Sequence, residues 1–479
     1  MDVISASPVL TDTRRAMRFV LLSWVFGALW MYTATGAVLT RFAKALGMPE
    51  YAFGLMAAAP FAAAFVQVAA SFFIEKYGHR RALFFAGGLP GRMIWIPIAL
   101  IPWFMPDRWW WQSLAVLYSL SMLGSNAATP SWISWMADLV PRRIRGRFFS
   151  RRTQAGQAIG IAVTFLIGYV LDRCGTSSPA ALRATASFLI LISAVIGTFD
   201  HLLYLPVPDP RAGHRKRDLR FWHMLRAPLA DRTFLRFLAF TATLTFALGY
   251  VGQYLWLYLF DVAGMSNVQA NALLVGIPLI VSMSVYPLWG RLVDRLGRKP
   301  VLAIAGILII PGAIAWIFIT RDSWHVPYVF VLLTTLAWPG VEISNFNILL
   351  GMSESRAGRH HGSAYAALYS LVIAVSGTLS GLFAGAVAAW LGPQWRGHLL
   401  GYPVTYHGVL MIISGVIRGL ALLWLIGLAD ERAYSPRAAL RYMADNMYSN
   451  LEQAIFAPGR RLLKFGHRSL RAVGRFMEP

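Results

Sequence analysis

Long apolar runs alternate with short polar segments along most of this chain. Twelve of these runs are long enough to cross, as helices, the roughly 30 Å hydrocarbon core of a bilayer. They lie near residues 17–39, 51–74, 82–104, 111–137, 153–172, 185–206, 235–260, 267–289, 300–320, 326–351, 363–391 and 405–428. The pattern predicts an all-α integral membrane protein with twelve transmembrane helices, and an even number of spans places both termini on one side of the membrane.

A long polar segment divides the twelve spans into two sets of six. It contains the basic run His214-Arg215-Lys216-Arg217, which is too hydrophilic to enter a bilayer. The first apolar run is too long for the roughly 7 to 15 residue core of a signal peptide, so we expect it to remain as span 1. The expected order is an N-terminus at 1–16, a six-helix bundle at 17–206, a basic linker at 207–234, a second six-helix bundle at 235–428 and a tail at 429–479.

One short basic turn occurs once in each half. The segment from Gly290 to Lys299 reads G-R-L-V-D-R-L-G-R-K, and the segment from Ser71 to Arg80 reads S-F-F-I-E-K-Y-G-H-R. The repeat predicts two similar halves. At this turn the chain resembles the major facilitator superfamily, whose signature between helices 2 and 3, repeated between helices 8 and 9, is G-x-L-x-D-R-x-G-R-K. The second copy matches this signature in full, whereas the first has Ser, Glu and His in place of Gly, Asp and Arg.

The resemblance implies two pseudo-symmetric six-helix bundles that rock about a central cavity lined by helices 1, 4, 7 and 10. It also implies a conformational latch at the repeated turn, in which the carboxylate pairs with cations or a helix start in one state only. The glycines of the motif would allow a tight turn. A merely positive loop explains the charges but not the repeat. The predicted latch residues are Gly290, Asp294, Arg295, Gly297 and Arg298, with Glu75, Lys76 and Gly78 as their counterparts.

Composition and charge agree with a membrane protein of many spans. Hydrophobic residues make up 57% of the chain, against roughly 45–50% in soluble domains. The net charge of +23 would suggest nucleic acid as a partner of a soluble chain, but most of the 44 Lys and Arg residues lie in the N-terminus, the even-to-odd loops and the tail. This bias predicts cytoplasmic termini in the cytoplasmic (inner) membrane and no nucleic-acid partner. Cys174 is the only cysteine, so no internal disulfide forms, and we expect no cofactor or metal site.

The tail at 429–479 combines apolar residues at helical spacing with clustered arginines. Such a segment is suited to an anionic lipid surface, and a frayed basic tail is the alternative.

Polar residues within spans need a cavity or a partner, so their spacing is informative. On spans 4, 7 and 10 they recur every three or four positions and therefore share one helical face. Packing between helices is an equally good explanation for any single residue. The predicted lining of the substrate cavity is Tyr118, Ser125, Thr129, Tyr250, Gln253, Tyr254, Trp338 and Asn345.

Glu342 lies deep in span 10, where the charged form of a carboxylate is costly unless it is paired or hydrated. We therefore predict that Glu342 carries a coupling proton, with a permanent ion pair to Arg418 as the alternative. Asp200 in span 6 is a second, weaker candidate for this role. Arg92 follows Pro90-Gly91 in span 3, where freed backbone carbonyls or a carboxylate would hold it.

The leading functional interpretation is a secondary active or facilitative transporter of a small polar solute, with proton symport as a candidate mode and a monomer as the expected state. Proton-antiport multidrug efflux is the runner-up, although span 4 lacks an arginine and span 5 a proline that the exporters of this superfamily typically show. A membrane-embedded enzyme or a transport-dead receptor would belong to another class. The sequence contains no Gly-Lys dipeptide, so the ATP-binding loop G-x-x-x-x-G-K-[ST] is absent.

Overall fold

The computed structural model describes residues 8–141, 143–175, 177–210, 228–355, 358–399 and 401–428. Eleven helices in this part of the chain are long and apolar enough to cross a membrane. A twelfth, Trp110–Leu139, has 30 residues and is richer in Trp, Ser and Asn, which lowers its hydropathy. The predicted fold class is confirmed. Most of the basic linker and the whole tail at 429–479 lie outside the described residues.

The first half contains spans 1 to 6. Span 1 breaks at Gly36, whose φ of 64° is a conformation that glycine adopts without strain. Ser178 caps the start of span 6, where its side chain accepts a hydrogen bond from the Ala181 N–H at 3.1 Å. The helices are Pro8–Ala34 with Ala37–Ala45 (span 1), Ala52–Ala64 with Val66–Tyr77 (span 2), Arg80–Met93 with Trp95–Phe104 (span 3), Trp110–Leu139 (span 4), Arg145–Cys174 (span 5) and Pro179–Leu202 (span 6).

The second half contains spans 7 to 12. Asp231 caps span 7, which therefore begins three residues earlier than predicted. Ser266 and Gln269 form a capping box at the start of span 8. The helices are Arg232–Gly249, Gly252–Leu257 and the π-helical turn Tyr258–Val262 (span 7), Asn267–Asn271, the π-helical turn Ala272–Gly276 and Ile277–Leu296 (span 8), Arg298–Ala315 with Trp316–Phe318 (span 9), His325–Ser355 (span 10), Gly358–Leu391 (span 11) and Tyr406–Leu423 (span 12).

A short antiparallel hairpin joins spans 11 and 12. Its strands are Arg396–Leu399 and Tyr402–Thr405, with Arg396 opposite Thr405. The apolar pattern did not indicate this hairpin, because it lies between two spans and is too short to affect the hydropathy of either.

The same neighbour pattern occurs in both halves. Span 1 packs on spans 5 and 6 as span 7 packs on spans 11 and 12, and span 3 packs on span 4 as span 9 packs on span 10. A polar pair also repeats. Gln67 donates to Asn126 at 2.6 Å between spans 2 and 4, and Tyr286 donates to Glu342 between spans 8 and 10. The halves are therefore two equivalent bundles.

Glycines allow the halves to meet backbone to backbone. A Cβ added at Gly54 of span 2 would lie 2.5 Å from the carbonyl oxygen of Gly381 in span 11, and one added at Gly381 would lie 2.5 Å from the Ala58 nitrogen. Spans 5 and 8 meet similarly, since a Cβ at Gly168 would lie 2.9 Å from the Cα of Val268. Rotation of a side chain cannot relieve such contacts, so these seams require glycine.

We expect Gly381→Ala to separate spans 2 and 11 and to lower stability by about 1–3 kcal/mol, the usual effect of overpacking. The measurement is the midpoint of thermal unfolding in detergent. Gly252→Ala is the matched control, because a Cβ at exposed Gly252 meets no atom within 4 Å. Equal midpoints for the two variants would contradict the close seam.

Candidate functional site

The two halves are joined by polar contacts at one end of the molecule. We call it the closed end; it contains the ends of spans 1, 5, 7 and 11 and the starts of spans 2 and 8. Asp172 of span 5 accepts hydrogen bonds from the backbone N–H groups of Asn267 and Val268 at 2.8 and 3.0 Å, and from the Asn267 side chain at 2.7 Å. First-turn N–H groups lack helical partners, and the helix dipole favours an anion there. Asp172 thus caps a helix of the opposite half.

Two cationic side chains of span 1 also contact the second half at the closed end. The Arg41 Nε donates to Asn267 at 2.9 Å, and its guanidinium lies 3.7 Å from the ring centroid of Phe260. Lys44 forms an ion pair with Asp261. Further contacts between the halves are a hydrogen bond from Asn271 to the Thr164 carbonyl at 2.9 Å, one from the Tyr254 hydroxyl to the Glu50 carbonyl at 3.2 Å, and the packing of Trp256 on Gly36.

The predicted cavity residues lie in two environments. Tyr118, Tyr250 and Tyr254 are buried. Tyr118 packs edge to face on Trp95, and the Tyr250 ring lies 5.5 Å from Phe383, so these three occupy helix interfaces, as the packing alternative allows. The remaining five are partly exposed, namely Ser125, Thr129, Gln253, Trp338 and Asn345.

Glu342 is exposed on span 10, where its carboxylate accepts a hydrogen bond from the Tyr286 hydroxyl. Arg418 instead donates to the Ile309 carbonyl at 2.8 Å. The structure therefore does not form the suggested ion pair between Glu342 and Arg418. The hydrogen-bond partner of the Glu342 carboxylate is the Tyr286 hydroxyl.

Asp200, the second predicted coupling residue, is buried within the first half. Its carboxylate lies 3.6 Å from the Arg92 guanidinium, which stacks on Trp30 at 3.4 Å from the ring centroid. Of the two kinds of partner expected for Arg92, the structure provides the carboxylate. This pair links spans 3 and 6, and the stacking of Arg92 on Trp30 adds span 1.

The predicted latch lies at the opposite end, which we call the motif end. Gly78 and Gly297 end spans 2 and 8 with φ of 73° and 91°, as the motif predicts. The expectation for Gly290 was wrong. It was expected to allow a turn, but it lies inside the helix Ile277–Leu296. The helix continues through it because a glycine in a helix costs only about 1 kcal/mol.

The charged latch residues have different surroundings. Asp294 and Arg295 are exposed, and Arg298 packs against Gly351 of span 10. Lys76 lies 5.1 Å from the Tyr77 ring centroid. The Glu75 side chain lies outside the described part of the structure.

The last basic residue of each repeated turn, Arg80 or Lys299, connects the start of one span to the end of another. Arg80 pairs with Asp138 at the end of span 4 at 2.6 Å, and with Asp209 after span 6 at 2.5 Å. Its counterpart Lys299 donates to the Leu428 carbonyl after span 12 at 2.7 Å. The repeated turn therefore fixes the start of the third helix of each half to the segment after its sixth.

Sequence reasoning missed the closed-end residues. Asp172 and Asn267 lie at the ends of apolar runs, where polar residues are expected for solvation alone. The sequence did contain one signal for this contact. Ser266 and Gln269 mark the start of a helix, and the unsatisfied N–H groups of a helix start bind anions. The local sequence around Ser266 does not show that the anion comes from span 5.

Comparisons with known proteins agree with this architecture. A family model described as the Major Facilitator Superfamily matches residues 20–381. No curated protein matches the chain in sequence.

Solved structures resemble the chain in fold. A variant of the nucleoside transporter NupG has a TM-score of 0.64 at 13% identity, covering 87% of this chain and 100% of that one. A D-xylose-proton symporter gives 0.61 at 18% identity, with 87% and 98% covered. The inward open xylose transporter XylE from E. coli gives 0.63 at 15% identity, with 89% and 99% covered.

Proposed function

Because the chain belongs to the major facilitator superfamily, we propose that it carries a small polar solute across the cytoplasmic membrane by alternating access. Both termini face the cytoplasm in this proposal, so the motif end is cytoplasmic and the closed end faces outward. The charge bias of the loops supports this orientation.

The observation that carries the proposal is the polar character of the closed end. Asp172, Arg41 and Lys44 join the halves through hydrogen bonds and one ion pair. Water can replace such contacts when the halves separate, so each contributes only about 0.5–3 kcal/mol net. An interface of this kind allows two conformations of similar free energy.

Proton coupling through Glu342 is the second part of the proposal. Its position within span 10 and its hydrogen bond from the Tyr286 hydroxyl of span 8 support this role, because the carboxylate is not held in an ion pair with Arg418. The latch at Asp294, Arg295 and Arg298 would bias the motif end between its open and closed forms. Among proteins of similar fold, a D-xylose-proton symporter and a nucleoside transporter support a solute with hydrogen-bonding groups.

The test is counterflow in proteoliposomes. The purified protein is first screened in detergent against a metabolite library, and compounds that raise its melting temperature are retained, since a ligand at 100 times its Kd stabilises the folded form by about 2.7 kcal/mol. We expect at least one such compound, loaded inside vesicles, to drive uptake of its labelled form. Protein-free vesicles are the control.

Other results would identify another class of protein. Binding without exchange would indicate a transport-dead receptor, and chemical conversion of the compound would indicate an enzyme. Either result would overturn the proposed function.

A further inference from the structure

An arginine in the first half lies between two indole rings. Arg152, seven residues into span 5, has its guanidinium carbon 3.9 Å from the ring centroid of Trp24 and 4.5 Å from that of Trp132. These rings come from spans 1 and 4, and all three side chains are partly exposed. Contact with two aromatic rings restricts the guanidinium, whose N–H donors lie around the edge of its plane.

The surroundings of Arg152 leave its charge uncompensated. In the described part of the structure, no carboxylate lies within 4.0 Å of it. The carboxylate that acts electrostatically on it is Asp200, which is already paired with Arg92. Two guanidinium groups therefore share one carboxylate, and this region carries an excess positive charge. Cation–π stacking stabilises a cation without neutralising it.

Hydrogen-bond donors outnumber acceptors around Arg152. The Tyr204 hydroxyl accepts a hydrogen bond from Trp132 at 2.8 Å and also interacts with Arg152. The Nε of Arg152 and the indole nitrogen of Trp24 are buried without a hydrogen-bond partner. Trp24 lies over Gly156, one turn from Arg152 on the same face of span 5. The cluster therefore has excess donors and positive charge.

We propose that Arg152, Trp24 and Trp132 form an oxyanion subsite that holds the carboxylate or phosphate group of the transported solute, an assignment that rests on the proposed transport function. A planar guanidinium recognises these groups through two parallel N–H donors. Span 5 is one of the helices at the seam that closes around Asp172. Binding an anion at Arg152 would therefore act on the same helix that joins the halves.

The experiment compares acids with neutral analogues of the same carbon skeleton. The probes are a panel of small carboxylic acids with their primary amides, and of phosphate monoesters with their parent alcohols. Binding is measured by thermal stabilisation and transport by counterflow, in vesicles of phosphatidylcholine alone. We expect one or more acids to bind at least roughly tenfold more tightly than the neutral partners, because hydrogen bonds to charged groups are the strong ones.

Three variants test the residues. Arg152→Gln is expected to weaken binding of the acid at least tenfold. Arg152→Lys should weaken it less, since a lysine keeps the charge but lacks the two parallel N–H donors of a guanidinium. Trp24→Phe keeps an aromatic face and removes the indole N–H, so an intermediate loss is expected. Arg151→Gln is the matched control, because Arg151 is exposed and adjacent in sequence. Melting temperatures without solute show whether each variant folds.

The outcomes separate this subsite from the proposed function. Exchange of neutral solutes by both the parent and Arg152→Gln, with no preference for acids, would overturn the subsite and leave transport standing. No exchange of any solute would overturn transport itself. An effect of Arg152 that appears only when anionic lipid is added would assign the oxyanion to a lipid headgroup and overturn the solute assignment. If Arg152→Gln fails to fold, full acid affinity in Trp24→Phe and Arg152→Lys would overturn it.

Discussion

Asp172→Asn is expected to open the closed end and to reduce the transport rate by roughly one to two orders of magnitude. The carboxylate accepts three hydrogen bonds at the first turn of span 8. An amide keeps one oxygen acceptor but loses the charge that the helix dipole stabilises. Hydrogen bonds to charged groups contribute about 1.5–3 kcal/mol, and each 1.4 kcal/mol changes the ratio of two conformations about tenfold.

Labelling of an introduced cysteine would measure this opening. Cys174 is exposed, so it is first replaced by serine. Thr164→Cys then places a thiol at a buried position whose carbonyl accepts from Asn271. A membrane-impermeant maleimide should label this thiol faster when Asp172→Asn is added.

Asp107→Asn is the matched control, because Asp107 is an exposed acid at the same end. It should change neither the labelling rate nor transport. Unchanged labelling and unchanged transport in Asp172→Asn would show that this carboxylate does not hold the halves together.

The spans could be predicted from the sequence because a helix that crosses the hydrocarbon core needs about 20 consecutive, mostly apolar residues, a pattern that is plain in the sequence itself. The repeated turn also predicted Gly78 and Gly297 correctly, since only a few residues tolerate their positive φ. Gly290 was misassigned because a motif defines residue types and not the residue at which a helix ends. The structure extends span 8 to Leu296, beyond the predicted end at 289.

The candidate site was less predictable, because it depends on which spans meet. A helical stripe identifies a shared face but not what that face contacts. Tyr250 and Tyr254 have the spacing of cavity residues, yet both are buried at helix interfaces, and the Tyr254 hydroxyl donates to the Glu50 carbonyl of the other half. Asp172 belongs to no stripe, and its importance appears only when span 8 of the other half lies against it.

Glu342→Gln is expected to abolish uptake driven by a pH gradient while leaving exchange at equal pH measurable. Glutamine keeps the size of the side chain and can still accept a hydrogen bond from Tyr286, but it cannot gain or lose a proton. Gradient-driven uptake should therefore fall at least tenfold. Exchange of labelled for unlabelled solute requires only the movement of the loaded protein, so its rate should stay within a few-fold of the parent.

Two controls separate proton coupling from a general defect. Tyr286→Phe removes the hydroxyl group and keeps the ionisable carboxylate of Glu342, so driven uptake should persist at a reduced rate. Asp322→Asn changes an exposed acid between spans 9 and 10 and should have no effect. Persistent driven uptake in Glu342→Gln would remove Glu342 as the coupling residue and make Asp200→Asn the next variant to measure. Because Asp200 already neutralises Arg92, that variant should lower the melting temperature as well as uptake, whereas Glu342→Gln should change uptake alone.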